Sequence, residues 1–177
     1  MIDTPIISHE NPPREHWLRR WAAALASGYI LMFFSEYLFV NVETNNLLSA
    51  DGAIDLAWVA GDMPGMWIAY SLIAFVFLDL VARFRIRNWL ALYLAGGVFG
   101  WLLEGVVVAT MYWGLFYIPF TGLSWHAMID VLVGWWLLNR ALVSGNPWRV
   151  LRIALLVGLF WGLWTTWMWE EVGVPAP

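Results

Sequence analysis

Four polar side chains in an otherwise apolar sequence have types and a spacing that suit chemistry. Glu36 and Glu104 each stand alone in apolar stretches, MFFSEYLFV and GWLLEGVVV, and His126 and Asp130 lie four residues apart in WHAMID. Residues at positions i and i+4 share one face of a helix, so this imidazole and carboxyl group should meet. Such a set can act as general acid and general base. It can also ligate a divalent metal such as zinc or iron, since carboxylate and imidazole are common ligands of these metals.

The composition indicates that most of the chain lies within a membrane. Of 177 residues, 62% are hydrophobic and 12% are charged, and the mean hydropathy is +0.67. A soluble domain of this length needs more polar side chains to cover its surface. We therefore predict an all-α, polytopic integral membrane protein, a bundle of five transmembrane helices. The sequence contains no cysteine, which excludes disulfides, thiolate metal sites and cysteine nucleophiles.

Five segments are long and apolar enough, or nearly so, to cross a bilayer as helices of about 20 residues. The predicted spans are 21–42, 64–82, 89–113, 124–142 and 148–169. Turn signals such as GDMPG, YIPFTG and SGNPWR separate them, and Asn146 followed by Pro147 is a typical helix start. Residues 1–20 are expected to form a cytoplasmic tail rather than a signal peptide. Residues 43–62 are too polar to span and are predicted to form an external loop, with or without a short helix that lies in the membrane interface. The chain 1–177 is predicted to be a single membrane domain.

The arginines determine the predicted orientation. The nine basic residues are all arginine. With five spans they fall on one side of the membrane: Arg14, Arg19, Arg20, Arg83, Arg85, Arg87, Arg140, Arg149 and Arg152. The positive-inside bias then places the N-terminus in the cytoplasm and the C-terminus outside. We expect a cell membrane of the bacterial inner-membrane type, with the C-terminus in the periplasm.

The same topology brings the four polar residues to one depth. At a rise of about 1.5 Å per residue, Glu36, Glu104, His126 and Asp130 lie roughly 5–10 Å below the outer surface. An aspartate at the centre of a transmembrane helix costs about 2.5–3.5 kcal/mol, so such residues normally face the bundle interior. No arginine of the sequence falls near this layer. Protonation, a bound cation, a cationic ligand or entering water must compensate, and each of these is functional more often than structural.

Structural roles for the same residues stay open at this point. Glu36 can reach outward to the interface, His126 and Asp130 can bond only to each other, and a protonated Glu104 can bond to a backbone carbonyl. If the four residues form a functional site, neighbouring hydroxyl groups are expected to belong to it as well. These belong to Ser35, Tyr37, Thr110 and Tyr112.

Three classes of function fit this pattern. The first is a membrane-embedded enzyme, an intramembrane hydrolase or lipid-modifying enzyme, with acid–base or metal-assisted chemistry on a lipidic substrate. The second is a non-catalytic subunit of a membrane complex that binds a pigment, quinone or lipid. The third is a proton- or cation-coupled carrier. A carrier needs polar groups that continue to the other side, and the inner halves of the first, third and fifth spans offer almost none, which favours a site open to one side.

The expected partners follow from the membrane setting. They are the lipid bilayer, a lipophilic small molecule and further membrane subunits, and no nucleic acid. The cofactor is unknown; the candidate is a divalent metal on Glu36, Glu104, His126 and Asp130.

Other features are predicted to be structural. The glycines of GGVFG, residues 96–100, allow helices to approach closely. Asp79 and Arg83 are expected to form an i, i+4 ion pair. Deeply placed indole rings are expected mainly to pack, although they could line a lipidic pocket. They belong to Trp101, Trp135, Trp136, Trp161 and Trp164.

Two short stretches resemble motifs of the CPBP (CAAX-protease-like) intramembrane glutamate proteases. SEYLF (35–39) is similar to a glutamate motif followed by Phe or Arg, and HAMID (126–130) is similar to His-x-x-x-Asn or His-x-x-x-Asp. The resemblance implies an intramembrane protease with Glu36, His126 and Asp130 in its active site. The sequence departs from the family in having a single glutamate at Glu36 and no Phe-x-x-x-His, for which Glu104 would have to substitute.

Overall fold

The part of the chain that the structure describes is built from helices. The computed structural model describes residues 14–38 and 55–166, and within them every regular element is helical. The predicted all-α class is confirmed. There are five long helices in these ranges: α1 (residues 14–37), α2 (Leu56–Arg83), α3 (residues 89–107), α4 (residues 117–143) and α5 (Pro147–Thr165). A 3₁₀ turn, Thr110–Trp113, lies between α3 and α4.

Three of the helices contain π-helical segments, in which backbone hydrogen bonds join residues i and i+5. In α1 the α-helix Arg14–Met32 continues as the π-segment Phe33–Tyr37. In α3 the α-helix Trp89–Leu102 continues as Leu103–Val107. α4 consists of the α-turn Tyr117–Pro119, the long π-helix Phe120–Leu137 and the α-helix Leu138–Val143.

Within the described residues, three helices are long and apolar enough to cross a membrane. They are Leu56–Arg83, Trp89–Val107 and Pro147–Trp164. Large apolar side chains such as Leu72, Leu94 and Leu155 point outward from them and are more than half exposed. Such a surface is stable against lipid and would drive aggregation in water. The described helices therefore have the length, composition and outer surface that are typical of an integral membrane protein.

Helix α2 begins earlier than the sequence predicts. Residues 56–62, assigned to the external loop 43–62, are helical, and Pro64 lies inside the helix rather than at its start. The Asp55 carboxylate explains the new start, because its Oδ1 accepts hydrogen bonds at 2.9 and 3.0 Å from the backbone N–H groups of the second and third residues after it. Trp58, in the first turn, is buried. The earlier part of that predicted loop lies outside the described residues.

The predicted connection between the third and fourth spans is also placed differently. α3 ends at Val107 rather than at 113, and Ala109 then takes a left-handed conformation with φ of 64°. α4 begins at Tyr117 rather than at 124, so YIPFTG is the start of a helix and not a turn. The predicted start of α5 is confirmed, since Asn146 caps it by accepting a hydrogen bond at 3.0 Å from the Trp148 N–H, with Pro147 in the first turn. The ends of the first and fifth predicted spans, 39–42 and 167–169, lie outside the described residues.

Close helix contacts form where side chains are smallest. α1 packs against α2 at Gly28, where an added Cβ atom would lie 2.6 Å from the Ser71 Cα. α3 packs against α4 at Gly96, where an added Cβ would lie 2.9 Å from the Ala127 Cα. Real Cβ contacts are not this short, so both interfaces depend on glycine. The close approach predicted from GGVFG is confirmed.

Ion pairs tie the N-terminal end of α1 to the C-terminal end of α2. The predicted pair of Asp79 and Arg83 is confirmed at 3.2 Å, and Arg20 of α1 joins the same carboxylate at 2.9 Å. The two helices are thus antiparallel, with arginines at the shared end.

Candidate functional site

His126 stands at the centre of a carboxylate–imidazole–carboxylate triad, which we define as Glu104, His126 and Asp130. The His126 Nδ1 lies 2.6 Å from the Asp130 Oδ2, and the His126 Nε2 lies 2.8 Å from the Glu104 Oε1. Each of these hydrogen bonds needs a proton between its two atoms. The three groups therefore share two protons, held either both on the imidazole or one on the imidazole and one on a carboxyl group.

The triad is closed at one end and partly open at the other. The side chains of Asp130 and His126 are 0% and 2% exposed, whereas that of Glu104 is 14% exposed. The second oxygen of Asp130, Oδ1, is buried and has no hydrogen-bond partner among the described residues. Glu104 is thus the member of the triad that a substrate or water can reach.

All four residues that the sequence singled out lie in π-helical segments. Glu36 lies in Phe33–Tyr37, Glu104 in Leu103–Val107, and both His126 and Asp130 in Phe120–Leu137. Single-turn π-segments such as those that carry Glu36 and Glu104 are rare and occur frequently at functional sites. Such a segment changes the direction in which the Glu36 and Glu104 side chains leave their helices, so the period of an α-helix alone does not predict the orientation of these two residues.

Glycine lets the two helices of the triad come close enough to join it. A Cβ atom on Gly100 of α3 would lie 2.7 Å from the His126 Cβ on α4. Next to it, the Trp101 ring fills the space above Gly122, and its Nε1 donates a hydrogen bond to the Ile118 carbonyl at 2.8 Å. The α3–α4 contact therefore sets the distance between Glu104 and His126.

Glu36 belongs to a second polar cluster beside the triad. The Tyr70 hydroxyl of α2 makes a short hydrogen bond to the Glu36 carboxylate and lies 2.6 Å from the Ser35 Oγ. Glu36, Tyr70 and Ser35 are all buried. Asp130 lies within range of electrostatic interaction with both Glu36 and Tyr70, so the two clusters adjoin.

The structure thus brings three of the four predicted residues into direct contact and places the fourth beside them. Glu104, His126 and Asp130 are in direct contact, and Glu36 adjoins them on the side of α2. Sequence reasoning missed Tyr70. Its position in the middle of the apolar stretch IAYSLIAF was the available signal, because a buried phenol needs a hydrogen-bond partner.

The hydroxyl groups named from the sequence have different surroundings. Ser35 joins the Glu36 cluster through Tyr70. The Thr110 hydroxyl is buried without a hydrogen-bond partner in the described residues, near the end of the π-segment that carries Glu104. Tyr112 is largely exposed, and its hydroxyl lies over Gly105. Tyr37 stacks on Phe33 with ring centroids 5.9 Å apart.

The donor atoms of the triad face one another rather than a common point. Both ring nitrogens of His126 are occupied by carboxylates. Within residues 14–38 and 55–166, no three His, Asp or Glu side chains are grouped in a way that could hold a metal ion. As arranged, the triad is suited to passing a proton along two hydrogen bonds.

Comparison of the chain with models of protein families, with curated proteins and with solved structures finds no match. The function of the chain is therefore inferred from the geometry of the triad and of the helices that hold it.

Proposed function

We propose that this integral membrane protein is an enzyme whose triad transfers protons to and from a lipid-soluble substrate. The observation that carries the proposal is the His126 imidazole, held between a fully buried carboxyl group on Asp130 and a partly exposed one on Glu104. An ionisable residue inside a membrane protein is costly and normally functional. Three ionisable side chains that share protons through consecutive hydrogen bonds form a unit for acid–base catalysis.

Each member of the triad has a distinct role in this proposal. Glu104 is the catalytic residue, because it is the one that a substrate can touch. When Glu104 gives its proton to the substrate it becomes a carboxylate, and the proton that later returns from the substrate to Glu104 is shared with the His126 Nε2 across their hydrogen bond of 2.8 Å. Asp130 holds the imidazole in one tautomer through Nδ1 and stabilises its positive charge, the usual role of a buried carboxylate behind a catalytic histidine.

The second cluster would set the charge around the triad. Glu36 and Asp130 are carboxyl groups that interact electrostatically in a medium of low dielectric constant, where two such charges side by side are unfavourable. The hydrogen bond from Tyr70 stabilises negative charge on Glu36. We assign Glu36 and Tyr70 as positioning residues rather than as groups that touch the substrate.

We infer a topology of five crossings with the N-terminus in the cytoplasm and the C-terminus outside. Its support is the distribution of the arginines at one end of the helices, where Arg20 and Arg83 meet at Asp79. Excess arginine marks the cytoplasmic side. The triad then opens towards the outer leaflet.

A site open to one side is favoured over a carrier by the packing next to the triad. Apolar side chains fill the bundle on the arginine side of Tyr70 and Asp130, among them Phe77, Leu92 and Val131. These side chains are buried and contact one another. A proton or cation pathway would need polar groups or water there.

The test is a search for chemistry without prior choice of substrate. Purified protein is placed in liposomes made from the lipid extract of its native membrane, in D₂O, and the lipids are followed by mass spectrometry. We expect deuterium uptake, or a new product, in one lipid class. It should be lost in Glu104→Gln and His126→Gln and kept in Asp79→Asn, a matched change of a carboxylate far from the triad.

Two results would contradict the proposal. One is an unchanged lipid profile with the wild-type protein, which would direct attention to co-purifying subunits and pigments. The other is a change that persists in Glu104→Gln. Elemental analysis of the same samples distinguishes the metal alternative, since a stoichiometric metal that is lost in both His126→Ala and Glu104→Ala would make the triad a ligand set instead.

A further inference from the structure

An apolar groove separates α5 from α1. Its volume is about 620 Å³, within the range of roughly 300–1,000 Å³ of small-molecule sites. The α5 side is formed by one face of the helix: Val150, Ile153, Ala154, Val157, Gly158 and Trp161. The α1 side includes the aromatic rings of Phe33, Phe34 and Tyr37. Almost all of this lining is carbon.

The groove exists because α5 is held mainly at its two ends. At the start of α5, the turn through Gly145 connects it to α4. Near its other end, the Trp161 Nε1 donates a hydrogen bond to the Tyr37 carbonyl at 3.2 Å, and the rings of Trp125 and Trp164 lie 6.0 Å apart. No residue of Pro147–Trp164 is buried. The middle of α5 therefore stands away from the bundle.

Three arginines surround the end of the groove nearest the α4–α5 turn. Arg140, Arg149 and Arg152 line a second cavity of about 380 Å³, and Ile153 lines both this cavity and the groove. Among the described residues, none of the three forms an ion pair with a carboxylate. The Arg140 guanidinium lies 4.9 Å from the centre of the Trp136 ring, which holds it at the cavity.

A basic end continuous with an apolar groove matches one class of ligand. We propose that this is a binding site for an anionic phospholipid, with the phosphate between Arg140, Arg149 and Arg152 and one acyl chain in the groove. Guanidinium groups bind phosphate oxygens through two parallel hydrogen bonds. Basic pockets between transmembrane helices bind anionic headgroups in this way. The site is separate from the triad and does not depend on the function proposed for it.

The test compares lipids and variants by native mass spectrometry of the full-length protein released from detergent. The probes are phosphatidylglycerol and phosphatidylcholine with identical acyl chains. We expect the wild-type protein to retain phosphatidylglycerol preferentially. Arg149→Gln/Arg152→Gln should weaken that binding by about tenfold or more, because each arginine near an anionic headgroup contributes several-fold.

A separate variant tests the part of the site that binds the acyl chain. A Cβ atom on Gly158 meets nothing within 4 Å, so the side chain of Gly158→Leu can enter the groove without moving the helix. This variant should lose phosphatidylglycerol. Gly65→Leu is the matched control, because an added Cβ on Gly65 of α2 also meets nothing within 4 Å and Gly65 does not line the groove. Arg19→Gln/Arg85→Gln is the control for the loss of two positive charges.

Three results would overturn the proposal. They are equal retention of the two lipids by the wild-type protein, equal loss of binding in the two double-arginine variants, and equal binding by Gly158→Leu and Gly65→Leu. The arginine variants alter exposed side chains, so they test the headgroup contact even if Gly158→Leu fails to fold.

Discussion

Replacement of Gly100 by alanine should push α3 and α4 apart at the triad. The added methyl group would lie 2.7 Å from the His126 Cβ and 2.9 Å from the Gly122 Cα. Carbon atoms in contact are normally about 3.5–4.0 Å apart, so the helices must separate locally by about 1 Å. The His126 Nε2 to Glu104 Oε1 distance is 2.8 Å. A shift of that size would take it past the range of about 2.7–3.2 Å for an N–H···O hydrogen bond.

Comparison with the same substitution at an open glycine isolates the free-energy cost of the clash at Gly100. Excess volume in a packed interior costs about 1–3 kcal/mol. An exchange of glycine for alanine within a helix returns about 0.5–1 kcal/mol through backbone entropy. Gly158→Ala has only the gain from backbone entropy, because an added Cβ meets nothing within 4 Å there. The difference in unfolding free energy between Gly100→Ala and Gly158→Ala should therefore be about 1–3 kcal/mol.

The assay is unfolding in mixed micelles of sodium dodecyl sulfate and a mild detergent, followed by circular dichroism. Gly97→Ala gives an intermediate case, since the nearest atom to its added Cβ is the flexible end of Leu123, at 2.8 Å. We expect the order of stability Gly158→Ala, then Gly97→Ala, then Gly100→Ala. If Gly100→Ala is as stable as Gly158→Ala within about 0.5 kcal/mol, the α3–α4 contact does not set the geometry of the triad.

Three further predictions concern the polar groups. Asp130→Ala should destabilise the protein by about 3–5 kcal/mol, because it leaves a buried imidazole without its partner. Asp130→Asn keeps an acceptor for the His126 Nδ1 and should cost less. Equal losses of stability for the two variants in the same unfolding assay would refute this. Tyr70→Phe should cost about 1–3 kcal/mol by leaving the buried Glu36 carboxylate without its donor, while Tyr112→Phe, at an exposed position, should cost nothing measurable. Asp79→Asn should lower stability by about 1 kcal/mol or less despite its two arginine partners, since the pair is solvent-exposed; a loss as large as that of Asp130→Ala would show that this end of the bundle is desolvated.

Much of the fold could be predicted from the sequence because it depends on local composition. Apolar stretches of membrane-spanning length, the Asn146–Pro147 start of α5 and the Asp79–Arg83 pair all follow from residues close together in the chain. The boundaries of α2 and α4 were predicted wrongly for a physical reason. GDMPG and YIPFTG carry the glycine and proline of turns, yet the Asp55 cap starts α2 before the first, and the second lies in the start of α4.

The sequence by itself determined which residues are the candidates for chemistry, since carboxylates and an imidazole are rare and costly in an apolar chain. It also determined that His126 and Asp130 meet, because four residues separate them along one helix. Only the tertiary structure decided that Glu104 completes the triad while Glu36 pairs with Tyr70. That division depends on how closely α3 approaches α4 across Gly100 and on the packing that brings Tyr70 of α2 to Glu36 of α1, and neither follows from the residues next to the acids in the sequence.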